Sequence, residues 1–168
     1  RAYATYCLGL FFDDADCVHQ PTDFRLVGLH RTAGYILGVD PSETAPRLGL
    51  PSEALPDEGP PIPEPYVCIA VQASTYCKTW SNPFGWRETI AFRRAQGYRV
   101  ICIDREPVHG TGLAWTHIPR GAEDETGPRP LAERARWLRH ARAFIGTSSG
   151  LSWLAWAAGT PVVLISGF

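Results

Sequence analysis

Two loops carry the side chains best suited to chemistry. The first is QASTYCKTWSNP, where Ser74, Thr75 and Lys78 stand just ahead of an Asn82-Pro83 pair that opens a helix. Two hydroxyls, an ammonium and helix-end amides on one loop suit a phosphate: the ammonium supplies charge and the amides meet the oxygens. A plain solvated loop has the same composition, so spacing alone leaves both readings open. The second loop is GTSSGLSWLAWAAG. Thr147, Ser148, Ser149 and Gly150 lead into a helix expected from Leu151, whose first amides and dipole favour an anion. Serine and threonine also cap helices without binding anything. Three hydroxyls and a glycine exceed what one cap needs, so an anion is expected here.

Gly146–Gly150 also spells G-x-S-x-G between a strand and a helix, as in the nucleophile elbow of α/β-hydrolases. Those enzymes place an acid and then a histidine after the serine, and no Asp, Glu or His follows Ser148 in this chain. A P-loop is excluded, since GxxxxGK[ST] does not occur, and the missing GxGxxG argues against a dinucleotide enzyme. Asp104, at the end of a strand, occupies a place where a carboxylate often accepts from a ribose. His109, His117 and the acidic run Glu123–Glu125 could look catalytic, but His109 and the acidic run read as solvated loop residues. Asp13, Asp14 and Asp16 are expected to form an acidic surface turn rather than a metal site.

These loops need strands and helices to position them, and the apolar pattern supplies both. Tyr66–Val71 (YVCIAV) and Arg99–Asp104 (RVICID) are short apolar runs expected as buried strands, and Ala143–Gly146 and Val162–Ile165 are expected as strands. Asn82-Pro83 starts a helix running to Gln96, where Gly97 stops it. Pro130 opens a second, with Leu131, Ala135, Leu138 and Ala141 at helical spacing. Leu151–Ala158 forms a third, ended by Gly159 and Pro161. Strand and helix in strict alternation predict a parallel sheet with right-handed crossovers and ligands beyond the strands' carboxyl ends. Arg134, Arg136, Arg139 and Arg142 spread around the second helix and read as a solvated face or an oligomer contact.

Eight prolines fall between Pro41 and Pro65, a density that excludes helix or central strand and marks a linker. The expected domains are therefore 1–40, the linker 41–65, and 66–168. A net charge of -1 argues against a nucleic-acid binder, and no apolar run is long enough for a membrane helix. Five cysteines without a CxxC pair suit a reduced compartment and no metal site; Cys68 and Cys102 lie in apolar runs as small hydrophobes. The chain has no methionine and opens on Arg1, so it reads as a piece of a longer cytoplasmic protein.

The string Leu131–Ser166 resembles the donor-site region of the ADP-heptose:lipopolysaccharide heptosyltransferases, and the Lys78–Trp80 and Pro83 neighbourhood looks like their K-x-W-P loop. Longer strings, YATYCLGLFFDD, GLHRTAGYILGVDP, RVICID and SSGLSWLAWA among them, are similar to the bacterial autotransporter heptosyltransferases over nearly the whole chain. Where the lipopolysaccharide enzymes have Asp-Thr-Gly-Leu-x-His, this chain has Ser148-Ser149-Gly150-Leu151-Ser152-Trp153, which points to the autotransporter branch.

That resemblance implies a GT-B glycosyltransferase: two Rossmann-like domains, the second (truncated here) binding the nucleotide-sugar donor. It implies heptose transfer from ADP-heptose to serine hydroxyls of an autotransporter passenger. The donor diphosphate would rest on Ser74, Thr75, Lys78, Ser148, Ser149, Gly150 and Leu151. Asp104 or Glu106 would meet the ribose, and Ile118–Gly121 would border the adenine. A general base is expected upstream of Arg1, an iron-binding cysteine cluster beyond Phe168, and a homo-oligomer in the longer protein.

Overall fold

The computed structural model describes residues 58–73, 78–112 and 114–165, all within one compact unit, Pro46–Phe168. The expected first domain, the carboxylates at 13, 14 and 16, and most of the proline-rich stretch lie outside the described residues.

The chain alternates strand and helix as its apolar runs require. Strand β1 (Tyr66–Ala70) is buried at every position. Its alternate side chains face opposite ways: Tyr66, Cys68 and Ala70 pack with Trp137, Leu138 and Phe144, while Val67 and Ile69 pack with Ile90, Val100 and Ile145. A strand covered on both faces cannot alternate with polar residues, which is why it reads as a continuous apolar run. Helix α1 (Gly85–Ala95) follows. It begins two residues later than the Asn82-Pro83 pair predicts: Phe84 is its N-cap, and Asn82 forms a turn ahead of it, its Oδ1 accepting from the amides of Phe84 and Gly85 at 3.0 Å each. Ile90, buried inside α1, pins it to the sheet, a burial worth about 1.5–3 kcal/mol. Gly97, at φ +87, turns the chain back into β2 (Arg99–Cys102).

Residues 105–129 depart from the expected solvated loop. They form a hairpin, β3 (Val108–Thr111) with β4 (Ala114–His117), and a two-residue strand β5 (Glu123–Asp124) parallel to β2. The ion pair of Arg99 on β2 with Glu123, 2.9 Å at Nε, fixes that register and holds the Glu123 carboxyl below its usual range. Helix α2 (Leu131–His140), β6 (Phe144–Thr147), α3 (Gly150–Ala157) and β7 (Val162–Ile165) complete the unit. Among the described residues no helix is long and apolar enough to cross a membrane.

Two expectations for α2 change. Leu131 is 68% exposed rather than in the core, and Arg134 is 5% exposed rather than on a solvated face. The sheet order is β5-β2-β1-β6-β7, all parallel. From β1 the chain first moves outward through β2 to β5, then returns to the other side for β6. The order therefore reverses between β1 and β6, where an open α/β sheet leaves its crevice.

Candidate functional site

A cavity of about 510 Å3 lies at that reversal, beyond the carboxyl ends of β1, β2 and β6. Gln72 and Ala73 enter it from β1, Asp104, Arg105 and Glu106 from β2, and Ser149, Gly150 and Leu151 from β6. Leu131, Leu154 and Leu151 give it an apolar side; Glu106 and His109, 3.7 Å apart, give it a polar one.

Ser149 is the N-cap of α3, with extended backbone at φ -148. Ser152, one turn on, ties the cap: its Oγ accepts from the Ser149 amide at 3.1 Å and donates to the Ser149 carbonyl at 2.7 Å. The next amides, Gly150 and Leu151, have no intrahelical acceptor by position. Gly150 needs no unusual φ, and a Cβ there would meet nothing within 4 Å. The fold itself tolerates a side chain at that position; the glycine leaves backbone bare toward the cavity. Gly146 is different, since its Cβ would come within 2.8 Å of the Phe144 ring and 2.9 Å of the Ala70 carbonyl.

Asp104 lines the cavity, yet its carboxylate turns to the backbone of β1. Oδ2 accepts from the Val71 amide at 2.7 Å and the Gln72 amide at 3.3 Å, and from the Cys102 thiol at 3.5 Å. Burial raises its pKa, opposed by those hydrogen bonds. Burial likewise pushes the Cys102 thiol up to about 12, so it stays a donor. Gln72 continues the link by donating from Nε2 to the Glu106 carbonyl.

Of the expected site residues, Asp104, Ser149, Gly150 and Leu151 thus share one cavity. Ser148 and Lys78 are half-buried and do not line it. Among the described residues Ser148 makes no hydrogen bond to a histidine or carboxylate, and Lys78 has no ion pair. Ser74 and Thr75 lie outside the described residues. Ile118 packs against the cluster that contains Val67, Ile69 and Ile90 and does not line the cavity. Gln72, Leu131 and Leu154 line the site without having been singled out. The position of Gln72 directly after a buried strand was the one available signal. No group of three or more His, Cys, Asp or Glu that would hold a metal occurs among the described residues.

A crevice at the reversal point of a parallel sheet, walled by a helix N-terminus, defines a Rossmann-like ligand-binding domain. The chain belongs to glycosyltransferase family 9, the heptosyltransferases, whose pattern matches residues 14–167. It is 58% identical to the autotransporter heptosyltransferase Aah of Escherichia coli, over all of this chain and 41% of Aah. The crystal structure of the dodecameric, iron-containing heptosyltransferase TibC in complex with ADP-D-beta-D-heptose superposes with a TM-score of 0.81 at 57% identity, covering 99% of this chain and 42% of TibC. An autotransporter heptosyltransferase described as inactive, BimC of Burkholderia thailandensis, is 48% identical over 99% of the chain and 38% of its own length. The chain spans about two fifths of the curated relatives it matches.

Proposed function

We propose that the protein to which this chain belongs transfers heptose from ADP-heptose to serine hydroxyls of an autotransporter passenger, in the cytoplasm before export. Residues 66–168 would be its donor-binding domain, joined through 41–65 to an acceptor-side domain that ends in 1–40. The single observation that carries the reading is the cavity that joins the open α3 N-terminus to Glu106 and the leucine side. Its parts match those of a nucleoside diphosphate. The Gly150 and Leu151 amides face phosphate oxygens, the Glu106 carboxylate can accept from ribose hydroxyls, and Leu131 and Leu154 offer an apolar surface to a base. Asp104 acts behind them, holding the end of β1 rather than touching the ribose.

Sugar transfer leaves a diphosphate whose growing charge must be stabilised, and helix-end amides preorganised at that point do so without rearrangement. Lys78, with Ser74 and Thr75 on its loop, would add charge to the same diphosphate. The acceptor hydroxyl needs a general base, which we assign to the acceptor-side domain. The likeness to TibC supports extending the reading to a homo-oligomer, and to an iron site outside this chain.

The full-length protein incubated with ADP-heptose and a purified passenger should add heptose-sized mass increments to the passenger. No increment, with ADP still bound, would favour a nucleotide-sugar-binding module without transfer. The inactive relative at 48% identity keeps that second reading in view. Labelling of Ser148 by a fluorophosphonate would instead favour a hydrolase.

A further inference from the structure

We infer that Arg134 is a positioning residue for the nucleotide cavity, a role that rests on the donor-site reading above. Its guanidinium is buried, and its hydrogen bonds go to three backbone carbonyls. Nη2 donates to Asp104 at 3.0 Å and to Gly127 at 2.9 Å, and Nη1 donates to Glu125 at 2.6 Å. The nearby carboxylates of Glu125 and Glu133 are instead bonded to Arg129. A buried cation without a bonded carboxylate is costly. Burial accordingly lowers the Arg134 pKa.

The three carbonyls explain what that charge does. Asp104 lies two residues past β2, and Glu125 and Gly127 follow β5. Their amides already tie the two segments, Glu125 to the Cys102 carbonyl at 3.0 Å and Gly127 to the Arg105 carbonyl at 3.1 Å. One planar fork bonds both segments at once, which a single point donor does less well. The Asp104 backbone it holds carries the carboxylate that receives the Val71 and Gln72 amides, and Gln72 in turn reaches the Glu106 carbonyl. Arg134 therefore sets where the β1 and β2 ends stand around the cavity. It sits on the helix whose first residue, Leu131, forms part of the apolar side.

The test compares full-length wild type with Arg134→Lys and Arg134→Gln, taking Arg139→Gln on the same helix as the control. ADP affinity is measured by titration calorimetry, and amide exchange at Val71 and Gln72 by mass spectrometry or NMR. The expected result for both Arg134 variants is a folded protein whose ADP affinity falls tenfold or more. Val71 and Gln72 should exchange faster while Ile69, inside β1, keeps its protection. Lysine should not rescue, because it replaces the fork by a point. Wild-type affinity and wild-type exchange in either folded variant would overturn the proposal. So would failure of both variants to fold, which would assign Arg134 to global stability. Should wild type itself not bind ADP, the donor-site reading falls, and the exchange of Val71 and Gln72 still decides whether Arg134 positions them.

Discussion

Replacing Asp104 separates its scaffold role from ligand contact, and the cost can be worked from its bonds. In Asp104→Ala the amide of Val71, a residue only 3% exposed, loses its partner at 2.7 Å. An orphaned buried donor costs about 1–3 kcal/mol. Gln72 is only half-buried and its bond is long, so its amide can rehydrate and adds little. Relief of the buried carboxyl offsets part of the loss, which leaves a destabilisation of about 2 kcal/mol. Asp104→Asn keeps an acceptor oxygen and removes the ionisation, which makes pH the sharper readout.

Burial raises the Asp104 pKa above its ordinary value of 3.8. The native state therefore holds this proton more tightly than the unfolded chain does. The stability it confers is complete below 3.8 and is lost as pH rises through the folded value. Urea denaturation followed by tryptophan fluorescence should show wild type gaining most over Asp104→Asn in acid, with the gap shrinking as pH rises. A gap that widens with pH would show that the hydrogen bonds outweigh burial, and would refute the reasoning.

Two glycines four residues apart should behave oppositely. Gly150→Val is expected to leave stability within about 1 kcal/mol, the first helical turn tolerating the residue, while weakening ADP binding tenfold or more by titration calorimetry. Gly146→Ala should destabilise by about 1–3 kcal/mol through overpacking against Phe144 and the Ala70 carbonyl, as urea denaturation would show. Lys78→Ala should lower transfer by about two orders of magnitude, since one charge stabiliser contributes on the order of 3 kcal/mol; unchanged kcat/KM would remove Lys78 from the site.

The parallel core was legible because strands covered on both faces have to be apolar throughout. YVCIAV, RVICID and the segment at Phe144 are such strands, whereas the apolar run of β7 leaves Val163 46% and Leu164 48% exposed; the ends of all four fell within one or two residues. The Asn82 turn ahead of α1 and the Gly97 stop were equally local. Strand β5 was not legible, because Glu123-Asp124 has no apolar signal and exists as strand only through β2 and Arg99. The hairpin VHGT-GL-AWTH has no regular alternation, so it passed for loop. Arg134 looked like one more solvated arginine, since its carbonyl partners lie 7 to 30 residues away in the sequence. At the site, the SSG turn was visible as a helix N-terminus. The direction of the Asp104 side chain was not, because a strand-end carboxylate serves a ribose or a neighbouring backbone equally well.

Donor binding in this cavity requires recognition of an adenine nucleoside diphosphate. Titration of the full-length protein with ADP and with UDP under identical conditions measures this. The expected result is saturable binding of ADP to one site per chain, abolished or weakened at least tenfold by Gly150→Val, with UDP binding much weaker. Equal affinity for ADP and UDP, or ADP binding indifferent to Gly150→Val, would contradict it.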